Sequence, residues 1–260
     1  MTNSQERFSD SQERFSDRVQ AYIKYRPSYN DELIGFLTDE IGYRPEWTVA
    51  DIGSGTGILS ELFLRRNNDV IGVEPNEAMR RAAEDLLASY DQFKSVAAAA
   101  EDTTLDDQSV DLVVAGQSFH WFDVPRARVE LQRILRPHGY VCLIWNDRKI
   151  DATPFLEDYE ALLQSHGVDY KHVDHKNISE DTLVEFFGRE GYNEVDFPNR
   201  QDFDWDGLRG RALSSSYVPA PDHTKHDAFF EQLHGLFDRC ATHGHVSFEY
   251  VMRVYFAQFS

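Results

Sequence analysis

The sequence of 260 residues predicts an α/β fold in which helices cover both faces of a mostly parallel sheet. Three observations support this prediction. Short apolar runs alternate with segments whose apolar residues recur every three or four positions, which is helical spacing. The apolar runs are almost continuous, as expected of strands buried on both faces. The connections between them are short, which is typical of alternating strands and helices.

The first half of the chain carries this alternation. The predicted strands are Thr48–Ile52, Val70–Glu74, Phe93–Ala98, Val110–Ala115 and Tyr140–Trp145. The predicted helices are Asp31–Ile41, Ile58–Arg66, Asn76–Tyr90 and Arg126–Leu135. The segment RPHGY, which links the last helix to the fifth strand, combines Pro with Gly and is predicted to be a turn.

The second half changes its pattern after Asn146. Helical spacing recurs in four segments, Pro154–His166, Ile178–Gly188, Trp205–Ser216 and Asp222–Ala241. The stretch Asn193–Phe203 alternates like a strand, although Pro198 breaks the alternation. The segment Val246–Phe259 is rich in β-branched and aromatic residues, which predicts a final strand.

These elements suggest one domain over residues 19–260. Its core would comprise residues 48–146 and a C-terminal strand at 246–259, with a helical insertion over about residues 150–241. Residues 1–18 contain the heptapeptide SQERFSD twice in succession and are expected to form a flexible arm without an assigned role.

Composition restricts the class of function. The formal net charge is −19, and such an acidic surface repels nucleic acid and anionic membranes. No run of 18 apolar residues predicts a membrane span, and the polar N-terminus does not suggest secretion. Cys142 and Cys240 give neither a disulfide framework nor a metal-binding spacing, so we expect a cytoplasmic protein without a metal. The oligomeric state cannot be predicted.

The stretch VADIGSGTG, from Val49 to Gly57, is the strongest local signal. A strand leads into glycines at the start of a helix, where backbone N–H groups point outward and a ligand can approach closely. Glu74 ends the next strand and has a carboxylate that can accept both hydroxyls of a ribose. Ala100, Glu101 and Asp102 follow the third strand, where polar groups can border an adenine.

Two kinds of nucleoside ligand fit this pattern. A dinucleotide requires the spacing GxGxxG, but in GSGTG the third glycine comes one position early. Asp51 also lies two residues before the first glycine, and its negative charge would repel a diphosphate. A carboxylate suits a ligand that carries an ammonium group, a sulfonium and a ribose, which favours S-adenosylmethionine.

Four segments, DIGSGTG, VEPNEAM, AAEDTTLDDQSVDLVVAGQSFHWFD and RILRPHGYVCLIWN, resemble class I S-adenosylmethionine-dependent methyltransferases of the methyltransferase type 11-like group. The segments YIKYRPSY and QSFHWFD resemble the small-molecule branch that includes trans-aconitate-type methyltransferases, from which we carry over no substrate. The resemblance implies a Rossmann-like, doubly wound sheet of seven strands with an antiparallel last strand. It also implies S-adenosyl-L-methionine as the cofactor.

The resemblance further implies which residues contact the cofactor. Asp51, Gly53 and Gly55 would border its methionine part, Gly57 would shape the turn, and Gln117 would lie below the sulfonium.

The adenosine part of the cofactor has its own implied neighbours. Glu74 would bind the ribose, and Tyr22 and Arg26 would cover the pocket. The adenine would be bordered by Pro75, Met79, Ala100, Glu101 and Asp102.

The acceptor side offers candidates with two interpretations each. His120 is a possible general base or hydrogen-bond donor beside Trp121, or a structural residue in an aromatic cluster. Arg26 and Tyr29 would bind an anionic acceptor or pack as a lid, with Arg26 favoured because a guanidinium matches a carboxylate bidentately. Asn146 and Tyr217 are further substrate candidates, although such a tyrosine is often a packed loop residue.

The expected reaction is an in-line methyl transfer to a small molecule. Positioning and desolvation would carry most of the catalysis, and a general base is needed for a hydroxyl but not for a carboxylate. The sequence AGQSFHW stands where nucleic-acid amine methyltransferases tend to have Asn/Asp-Pro-Pro-aromatic. The alternatives are an NAD-type oxidoreductase and a catalytically silent nucleoside-binding module.

Overall fold

The computed structural model describes residues 24–170, 179–188 and 191–259. The repeated heptapeptide at the N-terminus lies outside the described residues. Strands β1 to β7 are, in chain order, Thr48–Ile52, Asp69–Val73, Phe93–Val96, Val110–Gly116, Leu135–Arg148, Asn193–Phe203 and Val246–Gln258. Helices α1 to α8 are Glu32–Ile41, Ile58–Leu64, Glu77–Leu86, Val124–Ile134, Pro154–His166, Glu180–Phe187, Trp205–Leu213 and His226–Cys240.

The strands form one seven-stranded sheet in the order β3-β2-β1-β4-β5-β7-β6. The pairs β1–β2, β1–β4, β2–β3 and β4–β5 are parallel. Strand β7 runs antiparallel to β5, because Gly139 pairs with Phe259 while Lys149 pairs with Glu249. The Rossmann-like fold with an antiparallel last strand is therefore confirmed.

The chain separates into two compact units. Among the described residues, unit 1 comprises 24–27, 148–170 and 200–250, and unit 2 comprises 28–147, 179–188, 191–199 and 251–259. Unit 1 includes most of the region in which the sequence predicts a helical insertion. The predicted boundaries of one domain over residues 19–260 stay a prediction.

In unit 2, alternate residues of the central strands face two separate cores. Val49, Leu112 and Val114 pack with α1 and α2 on one face of the sheet. Ala50 and Val113 pack with α4 and α6 on the other. Because side chains alternate across a strand, two adjacent apolar residues bury both faces, which explains the continuous apolar runs.

Unit 1 has its own core. Side chains from α5, α7, α8 and the first part of β7 form one apolar cluster, in which Tyr159, Phe229 and Phe248 are almost completely buried. The aromatic rings of Tyr159 and Phe248 meet edge to face at 5.0 Å.

The prediction that RPHGY forms a turn before the fifth strand is wrong, because these residues lie within β5. Strand β5 already begins at Leu135, which pairs with Val110, and the register with β4 resumes at Tyr140 opposite Leu112. The intervening residues form a bulge in which His138 has a φ of +70°. The Pro and Gly of this segment thus mark an irregularity within a strand. Proline has no N–H to donate to a neighbouring strand, and a bulge tolerates it because some residues of a bulge are unpaired.

In the part of the chain that the structure describes, no helix is long and apolar enough to cross a membrane.

Candidate functional site

The loop between β1 and α2 is bonded to the carboxyl end of β2. The N–H groups of Gly53 and Ser54 donate to the Val73 carbonyl at 2.8 and 3.2 Å. The Gly57 N–H donates to the Ser54 carbonyl at 2.9 Å and closes a turn directly before α2. The glycine loop and Glu74, the residue after β2, are therefore held at the same edge of the sheet.

The three glycines of this loop all have left-handed backbone conformations, with φ of +69°, +56° and +82° for Gly53, Gly55 and Gly57. A Cβ on Gly53 would lie 2.5 Å from the Cβ of Ser118, and a Cβ on Gly57 would lie 2.6 Å from Cδ1 of Leu87. Among the described residues, nothing lies within 4 Å of a Cβ on Gly55. The close approaches at Gly53 and Gly57 are made by the protein itself, whereas Gly55 borders open space.

Asp51 is a buried acid with only one satisfied oxygen. Asp51 is only 1% exposed, and the Ser60 hydroxyl donates to its Oδ2 at 2.7 Å. The other oxygen, Oδ1, has no hydrogen-bond partner within residues 24–170, 179–188 and 191–259. Burial raises the pKa of Asp51 to about 7, opposed by the Ser60 hydrogen bond and reinforced by the charge of Glu74. A cationic group beside Oδ1 would stabilise the ionised form.

Glu74 connects the glycine loop to the start of α3. Its Oε2 accepts the Gly55 N–H at 2.9 Å, and its Oε1 accepts the Asn76 N–H at 2.8 Å. Arg80 donates to the backbone carbonyl of Glu74 at 3.0 Å. Since an ionised carboxylate has about four acceptor positions, each oxygen keeps capacity for a further donor such as a hydroxyl.

The predicted adenine neighbours after β2 lie at the start of α3. Asn76 caps this helix by accepting the N–H groups of Ala78 and Met79 at 3.0 and 3.1 Å. Pro75 is exposed, and the Met79 side chain is half-buried. An N-cap of this kind fixes the first turn, so the positions of both residues are determined locally.

The predicted neighbours after β3 lie in a turn that is closed by a hydrogen bond from Asp102 N–H to the Ala99 carbonyl at 3.2 Å. Ala100 is buried and Asp102 is exposed. The Glu101 carboxylate accepts the Asp123 N–H at 2.7 Å, which ties this turn to the residue that caps α4. Their role in binding adenine stays a prediction.

The carboxyl end of β4 places Gln117 and Asn146 in one polar network. Gln117 has a φ of +56°, its N–H donates to the Ile144 carbonyl at 2.9 Å, and its Nε2 donates to the Asn146 carbonyl at 3.2 Å. The Asn146 side chain accepts from Asn199 at 2.8 Å and donates to the Ser28 carbonyl at 3.4 Å. These bonds give Asn146 a structural role in unit 2, while its predicted role in substrate binding remains untested.

A short 3₁₀ helix, Phe119–Trp121, follows β4. His120 is half-buried and its ring lies 5.0 Å from that of Trp121, which is 79% exposed. Tyr29 lies against the end of β4, because a Cβ on Gly116 would collide with the Tyr29 hydroxyl. The structure thus keeps these three candidates within unit 2, and their acceptor-side roles stay predictions.

Arg26 and Tyr217 belong to unit 1. Arg26 donates to the Ser214 carbonyl at 3.0 Å, and the ring of Tyr217 lies 4.9 Å from that of Tyr170. Tyr22, predicted to cover the cofactor, lies outside the described residues.

Sequence reasoning missed two hydroxyls that shape the site. Ser60 supports Asp51, and Ser118 fills the space beside Gly53 while donating to the Ile52 carbonyl at 2.7 Å. Ser60 could have been noticed as the polar residue among the apolar positions of ILSELFL, on the first turn of α2. Ser118 carries no comparable signal, since its contact joins segments more than 60 positions apart.

No group of three or more His, Cys, Asp or Glu side chains that could hold a metal is found among the residues that the structure describes.

Comparisons with known proteins agree with this geometry. Residues 50–143 match a family described as "Methyltransferase domain". An uncharacterised methyltransferase of Mycobacterium tuberculosis is 40% identical over 130 residues, which is 50% of this chain and 51% of that protein. An uncharacterised methyltransferase of Schizosaccharomyces pombe is 31% identical over 147 residues, or 56% of this chain and 57% of that protein. The chain thus spans about half the length of these curated relatives.

Solved structures share the fold over most of the chain. A provisionally assigned type II methyltransferase from Anaeromyxobacter dehalogenans aligns with a TM-score of 0.69 and 21% identity, covering 90% of this chain and 98% of that one. A provisionally assigned methyltransferase from an antibiotic biosynthesis pathway of Anabaena variabilis aligns with a TM-score of 0.63 and 21% identity, with the same coverage of 90% and 98%. At this identity the two structures support the fold alone. Residues 50–143 are therefore similar to a methyltransferase domain, and the chain as a whole has the fold of these methyltransferase structures.

Proposed function

We propose that this protein is an S-adenosylmethionine-dependent methyltransferase that acts on a small molecule with a carboxylate or hydroxyl acceptor. The observation that carries the proposal is that two buried acids, Asp51 and Glu74, interact electrostatically, and that Glu74 accepts the N–H of Gly55, which borders open space. The similarity of residues 50–143 to a methyltransferase domain supports the reaction type, and the acceptor class is our own inference.

The residues present fit the cofactor. The unpartnered Oδ1 of Asp51 matches an ammonium group, which would satisfy an oxygen that burial otherwise leaves without a hydrogen bond. Glu74 retains acceptor capacity on both oxygens for the two ribose hydroxyls. A dinucleotide would instead bring a diphosphate to two carboxylates, which Coulomb repulsion opposes.

When bound, S-adenosylmethionine supplies a methyl group on a positively charged sulfur, which is already activated for transfer. The chain's own residues then need to orient the reactants and exclude water. A carboxylate acceptor requires no proton removal at all. A hydroxyl acceptor requires a base, and His120 after β4 is our candidate for that role.

A small-molecule acceptor agrees with the charge of the protein. A net charge of −19 disfavours binding to the phosphate backbone of a nucleic acid, which depends on neutralisation by Lys and Arg. The residues after β4, Gln117–Trp121, also lack the Pro-Pro-aromatic signature of nucleic-acid amine methyltransferases. We therefore propose that the acceptor is a metabolite, without assigning it by name.

Calorimetric titration with S-adenosylhomocysteine tests the cofactor site. Glu74→Ala should weaken binding by about 1.5–3 kcal/mol, the usual value of hydrogen bonds to a charged group. Glu77→Ala is the matched control, because Glu77 lies three positions away and its side chain is 64% exposed. A 2′-deoxy analogue separates direct from indirect effects, since Glu74→Ala should weaken its binding much less.

Three results would contradict the proposal. Equal loss for both ligands would mean that Glu74 acts only through the glycine loop, and tight NAD binding without S-adenosylhomocysteine binding would favour an oxidoreductase. Binding of S-adenosylhomocysteine without turnover of any acceptor in a labelled-methyl assay of carboxylates and alcohols would favour a silent nucleoside-binding module.

A further inference from the structure

Unit 1 contains two buried arginines that face the same aromatic cluster. Arg211 is 5% exposed, and the Arg148 side chain is 10% exposed. The Arg148 guanidinium lies 5.2 Å from the ring centre of Tyr159, and the Arg211 guanidinium lies 5.7 Å from that of Phe248. We call Arg148 and Arg211 the arginine pair.

Hydroxyl groups surround Arg211. Its Nε donates to the Tyr250 hydroxyl at 3.3 Å, and one terminal nitrogen donates to Ser215 at 2.8 Å and to Ser214 at 3.4 Å. Among the described residues, no carboxylate forms a hydrogen bond or ion pair with Arg211. Neutral hydroxyls satisfy donors but do not neutralise the charge, so burial of this guanidinium remains unfavourable.

Arg148 is only partly satisfied. One of its terminal nitrogens donates to Glu160 and to the Tyr170 hydroxyl. The other terminal nitrogen is buried and has no hydrogen-bond partner in the described part of the chain. Within the part of the chain that the structure describes, Glu160 is therefore the one carboxylate bonded to the arginine pair, which carries two positive charges and retains an unused donor.

The lowered pKa of Tyr217 also indicates a positive potential near the arginine pair. Burial alone would raise the pKa of its phenol, but the guanidiniums of Arg211, Arg26 and Arg148, together with a hydrogen bond to Ser215, bring the pKa below its ordinary value. A positive potential at this position is unexpected in a chain with 45 acidic and 26 basic residues. It favours the entry of a negative group.

We propose that the arginine pair of unit 1 is a binding site for a small oxyanion, a carboxylate or a phosphate, that completes the charge balance beside Arg148 and Arg211. A guanidinium matches both groups through paired N–H donors. The inference goes beyond the proposed function, because it concerns groups within unit 1 alone and requires neither cofactor nor methyl transfer.

Calorimetry and thermal unfolding of the full-length protein without cofactor test this site. The probes are succinate and inorganic phosphate, with succinamide as the neutral analogue, all at constant ionic strength in chloride. Succinate or phosphate should bind saturably and raise the unfolding temperature, whereas succinamide should do neither. Preference between the two anions then identifies the source of the oxyanion.

Variants locate the site. Arg211→Gln should weaken anion binding at least 10-fold. Arg209→Gln on the same helix is the matched control, because Arg209 is exposed, and it should change binding less than twofold. If Arg211→Gln does not fold, Arg211→Lys keeps the charge but loses the planar fork, and it should weaken binding at least 3-fold.

Three results would overturn the proposal. They are the absence of saturable anion binding, equal binding of succinamide, and equal effects of the Arg209 and Arg211 variants. Since the titration uses no cofactor, its failure would leave the proposed methyl transfer unaffected, and loss of S-adenosylhomocysteine binding would leave this site unaffected.

Discussion

Units 1 and 2 both bury charged side chains, but the electrostatic penalty is relieved in different ways. In unit 2 the charge is that of Asp51, whose pKa is raised to about 7 by burial, so that a proton can neutralise it near physiological pH. In unit 1 the charges are those of Arg148 and Arg211, and a guanidinium does not lose its proton in proteins. Unit 1 relies instead on hydroxyls, aromatic faces and the carboxylate of Glu160.

This difference shows how the same degree of burial can have opposite consequences. A buried carboxyl without a partner becomes neutral and regains its charge when a cation arrives. A buried guanidinium keeps its charge and needs a permanent partner or a bound anion. The stability of the two units should therefore respond in opposite directions to pH.

The largest expected effect concerns Asp51. Its pKa rises from 3.8 to about 7 on folding, so between these values the folded protein holds a proton that the unfolded chain has released. The free energy of unfolding should fall by roughly 4 kcal/mol as pH rises through this interval. Asp51→Asn cannot ionise, and its urea unfolding curves from pH 4 to pH 8 should lack this slope.

A ligand control sharpens the same measurement. Saturating S-adenosylhomocysteine should flatten the pH profile of the wild-type protein, because its ammonium group keeps Asp51 ionised. Parallel profiles for wild type and Asp51→Asn without ligand would show that Asp51 ionises normally in spite of its burial.

The next effect concerns the loop that follows Asp51. Gly53→Ala should lower the free energy of unfolding by about 2–4 kcal/mol, because it combines a left-handed backbone with a collision against Ser118. Gly55→Ala should cost only about 1–2 kcal/mol, since its Cβ meets no described residue. Urea unfolding and calorimetry measure both variants.

The two glycines should also differ in binding. For Gly55→Ala, the loss in free energy of S-adenosylhomocysteine binding should exceed the loss in free energy of unfolding, since the added methyl group would enter the space assigned to the ligand. If Gly53→Ala and Gly55→Ala lowered stability equally and left affinity unchanged, that assignment of open space would be wrong.

The third effect lies in unit 1. Burial raises the pKa of Glu160, but hydrogen bonds from Tyr170, Arg148 and Gln164 outweigh it and hold the pKa below its ordinary value. The stabilisation is therefore present above the unfolded pKa and is lost as pH falls through the folded pKa. Glu160→Gln should lower the free energy of unfolding by about 2 kcal/mol at pH 7, and the difference from wild type should shrink in acid.

Glu157→Gln is the control for this prediction, because Glu157 is an exposed residue on the same helix. It should change the free energy of unfolding by less than about 0.5 kcal/mol. A Glu160→Gln effect that is independent of pH would mean that the carboxylate charge does not matter in unit 1.

Much of the fold could be predicted because local periodicity and burial coincide in the central sheet. The segment Pro154–His166 is a helix with the bounds that its apolar spacing predicts, and Asn193–Phe203 is a strand. The turn predicted at RPHGY is wrong because Pro and Gly indicate an irregular backbone without distinguishing a turn from a bulge. Only the pairing of β5 with β4 decides between the two.

The candidate site could be predicted only as far as local sequence reaches. The sequence predicts Asp51, Gly55 and Glu74 near the ends of adjacent strands, and one hydrogen bond, from the Gly55 N–H to Glu74, joins the last two of these residues there. The packing of Ser118 against Gly53 and the hydroxyls around Arg211 depend on tertiary contacts that no spacing rule encodes.

The left-handed backbone of Gln117 has a consequence for any molecule that binds at the end of β4. A residue other than glycine adopts this conformation only where surrounding bonds enforce it, as the contacts with Ile144 and Asn146 do here. The amide of Gln117 is consequently oriented before a ligand arrives. Its rotational entropy is lost while the protein folds, so association at this strand end needs little further ordering of the amide.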